Sequence, residues 1–416
     1  MTATYSPDTA TPDTTRERKR ALLEGRLLVL AAIVMSASVL RVAVTAFSPL
    51  AERIGAEIGY STAVVGVFGM IPTAMFAVSG LLTPALVRRI GLERTALIAM
   101  LLAGAGMLVR ALMGSTAGLL VFSAVALGGM GIGNVVIPPL VKRYFPDRLA
   151  VLSSLYITMV QIGTVVPALI AVPVADSHGW RISIGLWALL GFAAALPWLG
   201  VLRGRKGHDV ADTTALPAGG PAPGRVWRSP VAWGMAGMFG MTSLTTYAVF
   251  AWLPRVLADA GAGDAFGGTM VALFALVGLV AALSAPTVVA RLANPFPVVV
   301  GCAALFLIAF TGLLVAPMGA PVLWVVILGL GPSTFPMALT LINMRTKTPQ
   351  GSAALSGFTQ GVGYAVACVG PLLFGMLHTA TGGWLAPFGM LTVAVLVLLA
   401  GAWQACKPRM LEDTWH

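Results

Sequence analysis

Residues 27–50 limit most strongly what this chain can fold into, because they are almost entirely apolar and yet contain an arginine. About 20 apolar residues are enough for a helix to cross the hydrocarbon core of a bilayer. Arg41 lies near the middle of the stretch, where a charge is costly unless it faces protein or a water-filled cavity. Ser38, Thr45 and Ser48 follow helical spacing and share a face with Arg41. The sequence therefore predicts a membrane helix whose polar stripe faces the protein interior.

Charged residues are rare along the whole chain. They make up 10% of its 416 residues, and 58% are hydrophobic, whereas a soluble domain carries about 25% charged residues. Apolar stretches of spanning length recur, which predicts an all-α polytopic membrane protein with twelve transmembrane helices. In order, spans 1 to 12 are predicted at 27–50, 62–87, 94–113, 117–141, 149–175, 182–202, 231–257, 266–290, 296–316, 321–344, 352–377 and 385–405.

The twelve predicted spans divide into two sets of six. Residues 203–229 between the sets are rich in Gly, Pro and charge, as expected of a flexible linker. The two sets also share a weak repeat at an offset of 200, which aligns Gly129, Gly131, Leu155 and Gly163 with Gly329, Gly331, Leu355 and Gly363. We therefore expect two pseudo-symmetric six-helix bundles. The predicted parts are a tail over 1–26, bundles over 27–202 and 230–405, the linker, and a second tail over 406–416.

The chain has a net charge of +11, and its basic residues are distributed as expected for a membrane protein. Basic residues cluster in the two tails, the linker and every second connection, and only a few, such as Arg53, Arg110, Arg181 and Arg255, fall on the other side or at span ends. This asymmetry predicts that both tails and the linker are cytoplasmic. It also argues against nucleic acid as a partner, because no soluble domain is available to carry a basic groove.

None of the fifteen acidic residues lies in the middle of a predicted span. A carboxylate proton relay or an aspartyl protease site at bilayer depth is therefore not expected, and Arg41 has no acidic partner at its own depth. A structural interpretation has Arg41 held by backbone carbonyls or by Asn and Gln amides. A functional interpretation leaves its charge for an anionic or electron-rich substrate. The functional one is favoured, because unpaired intramembrane charge is rarely kept for stability alone.

Other residues within the spans could complete a binding cavity around Arg41. Hydroxyl groups such as that of Thr45 can instead bond to their own helix, amides can join neighbouring helices, and aromatic rings pack in cores by default. The predicted substrate-binding set is Arg41, Thr45, Phe47, Asn134, Gln161, Tyr247, Gln360 and Tyr364. No catalytic or metal-binding residue and no cofactor are predicted, because the four histidines and three cysteines show no ligand spacing and no nucleotide-binding loop is present.

Several motifs resemble the cyanate and 2-nitroimidazole transporter branch of the major facilitator superfamily. The first is carried by Leu40, Arg41, Ala43, Thr45, Pro49 and Leu50. The others are the run from Gly131 through Asn134 and Pro138 to Pro146, the Gly179, Trp180, Arg181 turn, and the run from Ser356 to Gly375. Three positions depart from the family pattern. Val39 and Val42 flank the Leu-Arg pair, where the family usually has Asn and Pro, and Arg88 stands where the loop after span 2 normally has an acidic residue.

This resemblance implies a transporter of the bacterial inner membrane that works by alternating access. The expected substrate is a small anionic or heteroaromatic compound bound near Arg41, with a proton as a candidate co-substrate and a monomer as the working form. Two alternatives stay open: a proton-coupled multidrug efflux pump of the same fold, and a non-transporting solute sensor. A membrane enzyme is not expected.

Overall fold

A computed structural model describes residues 14–145, 148–204, 225–292, 294–347 and 349–414, and within them the protein contains helices and no strands. Eleven of the described helical segments are long and apolar enough to cross a membrane. Most spans begin and end within a few residues of the predicted bounds, because apolar length alone fixes them. The helices of spans 2 to 5 are Thr62–Ile90, Leu92–Leu112, Thr116–Tyr144 and Leu149–His178, and those of spans 7 to 9 and 12 are Pro230–Asp259, Asp264–Arg291, Phe296–Val315 and Leu385–Cys406.

Span 7 is the helix whose composition is too polar to be counted among those eleven. It is nevertheless 30 residues long, and most of its residues are buried between other helices. One of its hydroxyl groups also reaches span 10: Thr242 Oγ1 donates to Met238 O at 2.7 Å and lies 2.7 Å from Thr334 Oγ1. Span 7 therefore faces protein more than lipid, which agrees with its lower apolar content.

Span 1 is interrupted, whereas the sequence predicted one continuous helix. A helix over Thr14–Val39 stops at Leu40 and Arg41, and the chain continues through Val42–Thr45, a 3-10 turn over Ser48–Leu50 and Ala51–Ile58. Contacts with neighbouring spans favour the interruption. The backbone of span 5 approaches so closely that a Cβ added at Gly163 would lie 1.9 Å from Ser38 O. The predicted polar stripe of span 1 is therefore broken at its centre.

Three other spans are also divided into shorter helices. Span 6 consists of Trp180–Gly185 and Trp187–Gly204, and span 11 of Pro349–Ala367 and Val369–Thr381. Span 10 consists of Pro321–Leu330, a 3-10 turn over Gly331–Ser333 and Thr334–Met344. Pro332 lies in that turn, as expected for a residue that cannot donate a helix hydrogen bond.

The two halves contact each other most extensively along two pairs of spans, 2 with 11 and 5 with 8. We call the end that carries residues 204 and 225 the linker end, and the opposite end, with residues 50–61 and 259–264, the far end. Contact is close at the far end, where Ser48 Oγ donates to Phe250 O and Arg255 pairs with Glu52. A Cβ added at Gly69 would lie 2.7 Å from the Cβ atoms of Ala251 and Pro371. Glycine at position 69 is therefore what lets the halves meet there.

The predicted tails and linker are described only in part. Residues 1–13, 205–224 and 415–416 lie outside the described residues. Of the predicted linker, span 6 takes residues up to Gly204, and a 3-10 turn over Val226–Arg228 precedes span 7. Of the predicted N-terminal tail, residues from Thr14 onward continue the helix of span 1.

Candidate functional site

Arg41 stands at the interruption of span 1, with backbone angles φ −126° and ψ −10°. Its side chain is half-buried. Nη1 makes a long hydrogen bond of 3.3 Å to the adjacent carbonyl oxygen of Leu40, and Cζ lies 4.9 Å from the centre of the Phe76 ring. No carboxylate of a described residue pairs with it. Most of its hydrogen-bonding capacity therefore stays open to a ligand.

Aromatic rings from both halves of the protein meet around Phe76 of span 2. The Phe76 ring centre lies 6.3 Å from that of Tyr247 in span 7 and 6.0 Å from that of Tyr364 in span 11. Both contacts are edge-to-face, an arrangement that ring quadrupoles favour. The Arg41 guanidinium lies against the same Phe76 ring, with Cζ 4.9 Å from the ring centre. Arg41 and this aromatic cluster of Phe76, Tyr247 and Tyr364 therefore form one site shared by the two halves.

A largely apolar cavity adjoins the aromatic cluster on its far-end side. The empty space within it is about 460 Å³, including the part open to the surroundings. Spans 1, 2, 3, 4 and 7 form its walls, and the lining side chains include Phe47, Phe68, Arg110, Ser123, Tyr247 and Phe250. Phe47 packs on Phe68 with ring centres 4.7 Å apart. The cavity thus offers aromatic surface together with one cation.

Arg110 is that cation. The sequence indicated a position near a span end, but the side chain is buried. Only 1% of its surface is exposed. Nη1 donates to Ala43 O at 3.1 Å, whereas Nε and Nη2 have no hydrogen-bond partner. Ser123 Oγ, on the same cavity wall, is also buried without a partner. The signal in the sequence was the position of Arg110 inside an apolar stretch that contains no acidic residue.

The predicted amide residues are not all near Arg41. Gln161 Nε2 donates to Ala275 O at 2.6 Å, so this side chain joins span 5 to span 8. Gln360 Nε2 donates to Ser356 Oγ at 2.8 Å within its own helix. Asn134 keeps a buried Nδ2 without a partner. Its neighbours in span 4 contact the surroundings of Arg41, because added Cβ atoms at Gly131 and Gly133 would reach Phe76 and Leu40.

The structure therefore brings only part of the predicted set together. Arg41, Tyr247 and Tyr364 share one site, Phe47 lines the adjoining cavity, and Asn134 lies on a neighbouring wall. Thr45 is buried and its Oγ1 donates to Arg41 O at 3.4 Å, so it contacts the backbone of the interruption. Sequence reasoning missed Phe76 and Ser123, which look like ordinary core residues, and assigned Arg110 to a span end.

Known proteins match most of the length of this chain. The family model of the Major Facilitator Superfamily matches residues 31–367. An uncharacterized transporter, YycB, of Bacillus subtilis is 33% identical over 91% of this chain and 93% of its own length. A 2-nitroimidazole transporter of Escherichia coli is 31% identical over 94% and 97%, and the cyanate transport protein CynX of the same species is 29% identical over 90% and 95%.

Solved structures share the arrangement of helices at much lower sequence identity. A bacterial homologue of the human lysosomal transporter Spinster, in an inward-facing and unoccupied conformation, superposes with a TM-score of 0.70 at 16% identity, covering 94% of this chain and 99% of the other. A D-xylose–proton symporter superposes with a TM-score of 0.68 at 13% identity, covering 92% and 98%. These similarities establish a shared fold.

Proposed function

Since the chain belongs to the major facilitator superfamily, we propose that it carries a small anionic or nitro-bearing heteroaromatic solute across the membrane, with Arg41 as the substrate-binding cation. The observation that carries this proposal is the position of Arg41 at an interruption of span 1, beside aromatic rings from both halves. A ligand bound there touches both halves at once. Rocking of one half against the other would then expose it to each side of the membrane in turn.

The chemistry of the site favours a flat ligand that carries oxygen atoms. A planar guanidinium can donate two parallel hydrogen bonds to a carboxylate or nitro group, and an ammonium cannot reproduce that geometry. Phe76, Tyr247 and Tyr364 supply ring surfaces next to it. The names of two relatives, a 2-nitroimidazole transporter and a cyanate transport protein, support a ligand of this class.

The remaining predicted residues take graded roles in this proposal. Tyr247 and Tyr364 contact the ligand, Phe47 covers it from the cavity, and the free amide of Asn134 offers a further donor. Thr45 holds the backbone of the interruption through Arg41 O. Gln161 and Gln360 are less available to a ligand, because their amide nitrogens already donate to Ala275 O and Ser356 Oγ.

Orientation and coupling follow from the distribution of charge. The linker end carries most of the basic residues, so we place it in the cytoplasm of a bacterial inner membrane and the far end outside. No acidic residue occurs in the middle of a span, so any coupled proton would be carried by the ligand or by groups at the span ends. One chain contains both halves of the site, which makes a monomer sufficient for transport.

The test measures ligand affinity and melting temperature on the same purified variants. We expect Arg41→Gln to abolish most binding of 2-nitroimidazole and cyanate, and Arg41→Lys to weaken it about 10- to 100-fold, the value of a charged hydrogen bond. Counterflow of the labelled ligands in proteoliposomes should be lost in parallel. A purely structural arginine would instead lower the melting temperature and leave the affinity of the folded fraction unchanged. Binding without counterflow in the wild-type protein would indicate a sensor.

A further inference from the structure

We infer that Arg110 and Ser123 form a second anion-binding subsite, on the far-end side of Arg41, for a small monoanion such as a carboxylate. The inference extends the proposed function, and it relies on that function for the route by which a ligand reaches Arg41. Both side chains line the same cavity, from spans 3 and 4, and 1% and 3% of their surfaces are exposed. Both also keep polar atoms that no described group satisfies.

The unsatisfied atoms of Arg110 have the geometry that an anion requires. A guanidinium has five N–H donors in a planar fork. Nη1 is used by Ala43 O, and the two nitrogens left without a partner, Nε and Nη2, are those that form one edge of the fork. That edge binds the two oxygens of a carboxylate through parallel hydrogen bonds. The free edge therefore fits a bidentate anion.

A purely structural role for Arg110, in which it supports span 1, explains only part of this arrangement. The bond from Nη1 to Ala43 O does support span 1 just beyond its interruption. It leaves the other edge of the guanidinium desolvated, and buried donors without partners are costly. No carboxylate of a described residue pairs with Arg110 to balance its charge. An anion in the cavity would satisfy the two nitrogens and the charge together.

Ser123 supplies the third donor of the subsite. Its hydroxyl group can rotate to donate to an anion oxygen, and its Oγ is buried without a partner in the structure. Phe47, Phe68 and Phe250 bound the same cavity and would cover the apolar part of the ligand. Tyr247 lines this cavity and also belongs to the aromatic cluster beside Arg41. An anion that enters from the far end would thus meet Arg110 first and Arg41 second.

The test titrates radiolabelled benzoate and cyanate onto the full-length protein in lipid nanodiscs. We expect Ser123→Ala to weaken binding of at least one probe by about 3- to 10-fold, and Arg110→Lys by about 10-fold or more, because lysine keeps the charge and loses the fork. Ser243→Ala is the matched control, because Ser243 Oγ is equally buried without a partner and does not line the cavity. It should bind as the wild type does.

The outcomes separate this inference from the proposed role of Arg41. Wild-type affinity in both Ser123→Ala and Arg110→Lys overturns the subsite and leaves Arg41 untouched. Wild-type affinity in Arg41→Gln with weak binding in the Arg110 and Ser123 variants overturns the role of Arg41 and supports the subsite. If Arg110→Lys does not fold, Ser123→Ala decides alone, because removing an unsatisfied hydroxyl group costs the fold little. A wild-type protein that binds neither probe overturns the subsite, whereas the role of Arg41 is still decided by the binding of 2-nitroimidazole.

Discussion

The side-chain amide of Gln161 in span 5 donates a hydrogen bond to the backbone carbonyl oxygen of Ala275 in span 8, with 2.6 Å between the two atoms. This bond crosses from one half of the protein to the other near the middle of both helices. Spans 5 and 8 are one of the two pairs along which the halves contact each other most extensively. Movement of one half against the other at this depth must therefore break or stretch it.

The first prediction is that Gln161→Leu changes the rate of exchange between conformations more than ligand affinity. A neutral hydrogen bond contributes about 0.5–1.5 kcal/mol, so we expect counterflow rates to change about two- to tenfold while the dissociation constant of 2-nitroimidazole stays within twofold. Counterflow and equilibrium binding on the same preparation check this. A dissociation constant raised tenfold or more would show instead that Gln161 contacts the ligand.

The second prediction concerns the ion pair between Glu52 and Arg255, which joins the two halves at the far end. Its side chains are 42% and 32% exposed, so the pair is partly screened and should be worth only about 0.2–1 kcal/mol. Glu52→Gln should therefore open the far end slightly. We expect a cysteine placed at Val65, a buried residue of the cavity wall, to react two- to fivefold faster with a membrane-impermeant thiol reagent.

The measurement needs a protein whose natural cysteines, Cys302, Cys368 and Cys406, have been replaced. Asp176→Asn is the matched control, because Asp176 pairs with Arg53 at the same end but within the first half. It should leave the reaction rate at position 65 unchanged. Equal acceleration by both substitutions would mean that surface charge near the cavity mouth, and not closure between the halves, governs access.

Much of the architecture was predictable because each membrane span corresponds to an apolar stretch of sufficient length in the sequence. Span 4, for example, was predicted at 117–141 and forms a helix over Thr116–Tyr144. The interruption at Leu40 and Arg41 was not predictable, because neither glycine nor proline marks it. It is fixed by neighbouring spans: Gly163 lets span 5 reach Ser38 O, and Arg110 binds Ala43 O. Such contacts depend on how distant helices pack against each other, and the residues around position 41 alone do not show this.

The candidate site shows the same limit. Arg41 was identifiable because a lone charge inside an apolar stretch is unusual. Arg110 has the same character, but it lies two residues before the end of its helix at Leu112, where an arginine normally reaches the membrane surface. Phe76 was one of many phenylalanines in the spans. Only the packing of spans 1, 2, 7 and 11 shows that it touches Arg41, Tyr247 and Tyr364.

The third prediction is one of stability and concerns Arg345 at the linker end. Its side chain is buried, with 6% exposed, and its Nε and Nη2 donate to Ala405 O and Cys406 O at 3.2 and 2.7 Å. These are the last carbonyl groups of span 12, which a cation at a helix C-terminus stabilises. We expect Arg345→Gln to cost about 2–4 kcal/mol and to lower the melting temperature. Arg409→Gln, at an exposed arginine of the same end, should leave it unchanged.

The final prediction concerns Phe76, whose ring face lies 4.9 Å from the Cζ atom of Arg41. The cation–π contact positions the guanidinium beside the aromatic cluster, and such contacts are worth about 0.5–2 kcal/mol depending on desolvation. We therefore expect Phe76→Leu to weaken 2-nitroimidazole binding about 3- to 30-fold. Phe76→Tyr, which keeps the ring face, should bind within about threefold of the wild type.

The control must separate this effect from the ordinary cost of removing a buried ring. Phe374 is also almost fully buried, and its ring packs against Trp252, Trp384 and Phe388 without a cation. Phe374→Leu should lower the melting temperature about as much as Phe76→Leu does, because both remove similar core contacts, while leaving ligand affinity near that of the wild type. If Phe76→Leu and Phe374→Leu weaken binding equally, Phe76 acts through the stability of the fold. If only Phe76→Leu weakens it, the ring acts by holding Arg41 in the position that a ligand requires.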